Sequence, residues 1–252
     1  MLELFGCAII SESFLNLLTV NLDSWKDDFV KQRLKQWIVR YKHAWLFLYA
    51  FIYLPWFCYL EDTVTRNYRV IHTWMDDLIP FCEYFIIPYL IWFVYVGSTV
   101  MLFFFKNTQD FYRTCAYLFT GMSLSLLICT LVPNGTDMRP AVDPEKNLCS
   151  WLVSLIHKAD TSTNIFPSIH VFNSIAVHIS ILRSQYLKDC RWIRPVSLVI
   201  AVSVCLSTVF LKQHSVVDVI GGMVLAYVLY PMIYGSRRLV YQRGRFVRKA
   251  LG

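Results

Sequence analysis

Residues 166–184 read FPSIHVFNSIAVHISILRS and residues 214–235 read HSVVDVIGGMVLAYVLYPMIYG. Each opens with polar residues, Ser168 and His170 in the first and His214, Ser215 and Asp218 in the second, and each continues as an apolar run. If both runs enter a membrane from the same side, two histidines, a serine and a carboxylate meet at one face. Imidazole is a nucleophile and proton carrier near neutral pH, and a carboxylate one helical turn beyond a histidine fixes its tautomer and stabilises its cation. This grouping points to phosphoryl transfer through a phosphohistidine.

The rest of the 252-residue chain supports a membrane setting, because 56% of it is hydrophobic and only 16% charged, far from soluble averages. Six apolar stretches approach the roughly 20 residues that cross a hydrocarbon core. They lie near 44–60, 80–105, 114–133, 166–184, 193–211 and 215–235. The expectation is an all-α, six-span transmembrane helix bundle. Lysine and arginine concentrate on cytoplasmic flanks. With six spans, 18 of the 24 fall on the side that carries both termini and 6 on the other. Both termini are therefore expected in the cytoplasm and the histidine pair at the outer face. The net charge of +7 reads as topology and contact with anionic lipid headgroups. Nucleic acid is not an expected partner, because the basic residues flank spans and form no single patch.

One domain is expected, with residues 43–236 forming the six-span unit and 237–252 a basic cytoplasmic tail. Residues 1–42 are no ordinary signal peptide, since the apolar start carries Glu3 and Glu12 with no basic residue before it. Ser24 and Asp27 resemble a helix-capping pair, and Trp25, Phe29, Leu34, Trp37, Ile38 and Tyr41 recur at helical spacing among basic residues. That pattern predicts an interfacial helix leading into the first span. The eight cysteines show no metal-ligand spacing. Cys82 and Cys149 fall near the outer face, which leaves a disulfide between them open. No metal or cofactor is expected.

Helix starts present free N–H groups to anions, and Pro167 suits a first helical turn. The long outer loop 134–165 supplies Arg139, whose planar fork matches phosphate oxygens, and Lys212 stands two residues before His214. His178, eight residues past His170, is expected to bond a neighbouring helix. Glu83 is read as a residue among the headgroups. Asn134-Gly135-Thr136 fits a glycosylation acceptor, with a turn as the simpler reading.

Together these segments resemble the three signature motifs of the type 2 phosphatidic acid phosphatase superfamily, which includes haloperoxidases and sphingolipid phosphotransferases. Arg139 and Pro140 match the end of its first motif, and Pro167, Ser168 and His170 its second. Ser207, His214 and Asp218 match its third. The resemblance implies that His214 attacks phosphorus, Asp218 orients it, His170 protonates the leaving oxygen, and Arg139 and Ser168 hold phosphoryl oxygens. Lys212 and Ser207 complete the expected phosphate-binding set. Val132 and Thr208 stand where the family has a lysine and an arginine. Ile169 replaces a glycine of the second motif, as in inositol phosphorylceramide synthases. Losing cations weakens the hold on a doubly charged monoester more than on a singly charged diester.

The expected function is therefore a metal-independent lipid-phosphate phosphatase or phosphotransferase of the plasma membrane, bacterial by preference. Its partners are a lipid phosphate and the surrounding membrane lipids. An inositol phosphorylceramide synthase-like headgroup transferase is the alternative. A transporter would spread ionisable groups through the membrane depth, and an inactive lipid-binding relative, which the missing cations allow, need not retain the histidine pair and the aspartate together. The lipid, the acceptor and the oligomeric state stay open.

Overall fold

The computed structural model describes residues 30–235, which fall into two compact units divided after Trp45. In the first, residues 30–40 form helix α1, with Leu34, Trp37 and Ile38 exposed among basic neighbours. The expected cap at Ser24 and Asp27, with Trp25 and Phe29, lies outside the described residues, as does the basic tail.

The second unit is built of helices α2 (Ala50–Thr63), α3 (Trp74–Leu78), α4 (Ile86–Lys106), α5 (Thr108–Leu131), α6 (Leu148–Ala159), α7 (Ile169–Arg183), α8 (Ile193–Phe210) and α9 (Val216–Tyr234). Five stretches are long and apolar enough to cross a membrane: Lys42–Thr63, Glu83–Lys106, Thr108–Leu131, Ile193–Phe210 and Val216–Tyr234. The sequence predicted six. The stretch expected as the fourth span is α7, whose 15 residues rise only about 22 Å against a hydrocarbon core of about 30 Å. It is short because its apolar run starts late. Ser168 is the N-cap and Pro167 stands just before it, not in the first turn. The cap fixes the start because the Ser168 hydroxyl accepts from the Val171 N–H, leaving 166–168 outside the helix.

Short as it is, α7 is the centre of the unit and packs against α4, α5, α8 and α9. Val171, Phe172, Asn173, Ser174, Ala176 and Val177 are all buried. Small and polar residues among them let neighbouring backbones approach, as suits packing where lipid removes the hydrophobic drive.

The helices alternate in direction. Glu61 in the last turn of α2 accepts from Thr161 and Asn164. The Cys82 N–H, just before α4, donates to Phe210 at the end of α8. Asn134, just after α5, holds the Ile165 and Phe166 N–H groups before α7. Ser168 N–H donates to the Asp218 carbonyl of α9. One end of the bundle therefore gathers the ends of α2, α5 and α8 and the starts of α4, α7 and α9. At the opposite end Asp110 of α5 accepts from Ser184 and Gln185 after α7, and Arg183 bonds Tyr230.

Across the first end runs a small sheet, β1 (Arg69–Val70) parallel to β2 (Asn134–Gly135), with Gly135 bridging to Thr163. Asn134 is therefore neither a turn residue nor an accessible acceptor for sugar. It is 2% exposed, and its amide is used to hold backbone on both sides of the loop. Cys82 and Cys149 are both free, so the disulfide does not form. Glu83 pairs with Lys146 at 2.6 Å and is nearly buried, not immersed among headgroups.

Candidate active site

The site grows from the start of α9. Ser215 caps the helix, its hydroxyl accepting from the Val217 N–H, while the Asp218 carboxylate accepts from the Ser215 N–H at 2.8 Å. This reciprocal box fixes the first turn and both of its side chains. The same Asp218 oxygen lies 3.5 Å from His214 Nδ1. Asp218 is fully buried and His214 7% exposed. A carboxylate held this way orients the imidazole and stabilises its cation.

The start of α7 is joined to it. Besides the Ser168–Asp218 backbone bond, Gly222 permits the close crossing, since a Cβ there would lie 2.7 Å from the Ser168 carbonyl oxygen. The crossing sets the His170 ring 5.6 Å from the His214 ring, at 60°. Tyr89 and Trp92, one turn apart on α4, flank His170 at 4.7 and 4.5 Å. His170 Nδ1 is buried without a hydrogen-bond partner among the described residues. Deeper along α7, His178 bonds the Ser197 hydroxyl of α8 at 2.9 Å, as expected of a histidine facing a neighbouring helix.

The loop from α8 folds back so that the Gln213 and His214 N–H groups both donate to the Thr208 carbonyl. Lys212 takes a left-handed φ of 56° there, and its ammonium donates to the Asp76 carbonyl at 2.5 Å. Its charge is thus drawn toward α3. Ser207 is fully buried and donates to the Val204 carbonyl of its own helix, so its hydroxyl does not join the histidines. The Ser168 hydroxyl is likewise buried and engaged as a cap.

Arg139 does reach the site, but its fork is occupied by the chain itself. Nη1 donates to the Asp160 carbonyl, and Nη2 faces the Asp160 carboxylate at 3.2 Å, the Thr161 carbonyl at 2.7 Å and Gln213 Oε1 at 2.5 Å. Nε is buried without a partner among the described residues. Burial pushes the Asp160 carboxyl above its ordinary range, more than the Arg139 guanidinium pulls it down. Burial and the same guanidinium push the nearby His157 imidazole down.

Five residues here escaped the sequence reading, Asp160 on Arg139 among them. Tyr89 and Trp92 had a signal, aromatic spacing on one face of α4. Asp76 had one too, in the capping box it forms with Thr73. From α3 it reaches the start of α9, accepting from the Ser215 hydroxyl at 2.6 Å and the Val216 N–H at 2.8 Å. Burial pushes the Asp76 carboxyl up, but bonds from Ser215, Val216 and Thr73 together hold it below its ordinary value. Gln213 stands beside His214 yet carries no signal of its own. Among the described residues, no group of three or more His, Cys, Asp or Glu side chains is placed to hold a metal ion.

This is a helical membrane protein with a histidine pair and a buried carboxylate at one end of its bundle. The model of the PAP2 superfamily matches residues 114–239, and the chain belongs to that superfamily. The matched segment contains Arg139, Ser168, His170, Ser207, His214 and Asp218, while Asp76, Tyr89 and Trp92 precede it. No curated protein and no solved structure matches the chain.

Proposed function

We propose that the protein is an integral membrane enzyme that removes or transfers the phosphate group of a lipid through a phosphohistidine on His214. The observation that carries this reading is the meeting of His214, Asp218 and His170 where α7 crosses α9. With Nδ1 facing Asp218, the other ring nitrogen of His214 is left to attack phosphorus. A P–N bond forms as the P–O bond to the leaving alcohol breaks, and His170 gives the departing oxygen its proton. The Asp218 carboxylate stabilises the imidazolium character that develops on His214. In the second half water or an acceptor hydroxyl returns a proton to His170, forms a new P–O bond and releases His214. Of the expected phosphate-side residues, this reading keeps Arg139, Ser168 and Lys212, while the Ser207 hydroxyl stays with the Val204 carbonyl of its own helix. Arg139 is the one best placed among them, through Nε.

In the membrane, α7 serves as the fourth of six spans, and α1 lies along the interface as the amino-terminal segment. Both termini are cytoplasmic, and the histidine end faces outward from a bacterial plasma membrane. The alternation of helix ends and the placing of Lys106, Arg113 and Arg183 at the opposite end support this orientation. A headgroup transferase of the inositol phosphorylceramide synthase type is the second reading, favoured by Val132, Ile169 and Thr208 at the motif positions.

The test is to incubate purified protein with phosphatidic acid, with an isoprenoid pyrophosphate, and with phosphatidylinositol plus ceramide, beside His214→Ala. Phosphate release or a new phospholipid, lost in the variant, is the expected result. Neither product across the panel would overturn the proposal.

A further inference from the structure

The cations around the histidine pair are already more than matched by carboxylates of the chain. Arg139 is matched by the Asp160 carboxylate at 3.2 Å, and the Lys212 ammonium sits on the Asp76 carbonyl, next to the Asp76 carboxylate that caps α9. Asp218 adds a third carboxylate, fully buried and 3.5 Å from His214. Two cations thus face three carboxylates before any substrate arrives. A phosphate monoester that brings two more negative charges into such a place lacks counter-charge, and buried charge is costly unless paired.

Neutral donors are present instead. Gln213 is 2% exposed; its Oε1 is taken by Arg139, and its Nε2 is buried with no acceptor among the described residues. Arg139 Nε is in the same condition. Two buried donors without acceptors, on side chains that hold each other beside His214, are what a phosphate oxygen would satisfy. A buried donor left without an acceptor is costly in a folded protein, so their persistence points to a ligand.

We propose that Asp160, Arg139 and Gln213 set the charge the site accepts, and that its substrate is a singly charged phosphodiester, not a doubly charged monoester. The inference rests on the reading of the site as a phosphoryl-transfer centre. Asp160 cancels the guanidinium, and Gln213 supplies a donor without adding charge. When His214 displaces one alcohol from the diester, the other alcohol stays on phosphorus and the histidine intermediate carries no more negative charge than the substrate did. An acceptor hydroxyl then completes the exchange.

The experiment compares two lipids with the same tails, dioctanoyl phosphatidic acid and dioctanoyl phosphatidylglycerol, at a pH where the first carries two charges. Short-chain ceramide and dioctanoylglycerol are supplied as acceptor alcohols, and loss of the starting lipid is read by mass spectrometry. The full-length protein is expected to consume the diester with a kcat/KM about tenfold or more above that for the monoester, the scale of one partly screened charge. Asp160→Asn keeps the shape and removes the opposing charge, so it should narrow that ratio about tenfold. Gln213→Lys adds a cation at the same point and should narrow it independently, each variant being checked for an unchanged melting transition in detergent. A wild-type preference for the monoester overturns the inference while leaving phosphoryl transfer standing. A ratio unmoved in both folded variants does the same. No turnover of either lipid, with no phosphorylated His214, overturns the transfer reading itself and this inference with it.

Discussion

The Asp76 carboxylate and the Ser215 hydroxyl, 139 residues apart in the chain, share a 2.6 Å hydrogen bond at the start of α9. Their bond means that the short helix α3 holds the turn from which His214 projects. Two carboxylates then serve one helix start: Asp76 takes the Ser215 hydroxyl and the Val216 N–H, and Asp218 takes the Ser215 N–H. Negative charge belongs at a helix start, and bonds to ionised groups are the stronger ones.

Asp76→Ala should therefore lower stability by about 2 kcal/mol, the cost of a lost cap together with a charge-assisted bond. The pH dependence has a definite sign. The Asp76 carboxyl lies below its ordinary value in the folded protein, so its contribution is present above that ordinary value and is lost as pH falls through the folded one. The melting temperature of the wild type in detergent should drop across that acid window, and Asp76→Asn should flatten the drop. Equal slopes in the two proteins would show that the carboxylate charge does not matter.

His214 and His170 should fail differently. His214→Ala removes the attacking nitrogen and should leave no turnover and no acid-labile, substrate-derived phosphate on the protein. His170→Gln leaves the nucleophile and removes the proton carrier, so turnover should fall by about 10²–10⁴-fold. Activated substrates whose alcohols leave without a proton should recover most of the loss. Quench-flow with radiolabelled lipid separates the two, and label in His214→Ala would move the nucleophile elsewhere.

The crossing at Gly222 can be tested by one methyl group. A Cβ there meets the Ser168 carbonyl oxygen at 2.7 Å and the Val171 Cβ at 3.1 Å, and backbone cannot move aside as a flexible side chain can. Gly222→Ala should push α7 from α9, at a cost of about 1–3 kcal/mol, and widen the gap between the histidine rings. Activity should fall well beyond what the melting shift accounts for. Gly97→Ala, where nothing lies within 4 Å of the new methyl, is the control and should change neither.

What the sequence made legible followed from local spacing. His214 and Asp218 are four residues apart, so any helix beginning between them brings them together. Five of the six apolar runs became helices of spanning length for the same reason. The sixth, α7, fell short because Ser168 captures the Val171 N–H and starts the helix after Pro167, a choice that a hydropathy window does not register. Asp76, Asp160 and Gln213 were hidden because each acts through a long-range bond. The role of Asp76 depends on a residue 139 positions away, and that of Gln213 on Arg139, 74 positions away. Asn134 was misread as a turn because its sequence neighbours suit one, whereas its amide is needed by backbone donors about thirty residues on.

Orientation rests on an argument that labelling can decide. Arg183 ends α7, and Lys188, Arg191 and Arg194 follow around the loop into α8, at the end of the bundle away from the histidines. Positive charge in a short loop resists transfer across the membrane, so this loop should stay in the cytoplasm. Cys190 lies in it and is exposed. A variant that keeps Cys190 as its sole cysteine should react with a membrane-impermeant maleimide only after the cells are opened. A cysteine placed at the exposed Glu145, in the loop before α6, should react in intact cells. Because the two positions lie on loops at opposite ends of the bundle, the reverse labelling would turn the whole molecule over and put the histidine pair in the cytoplasm. Phosphoryl transfer would survive that result, but the lipid would then have to be drawn from the inner leaflet.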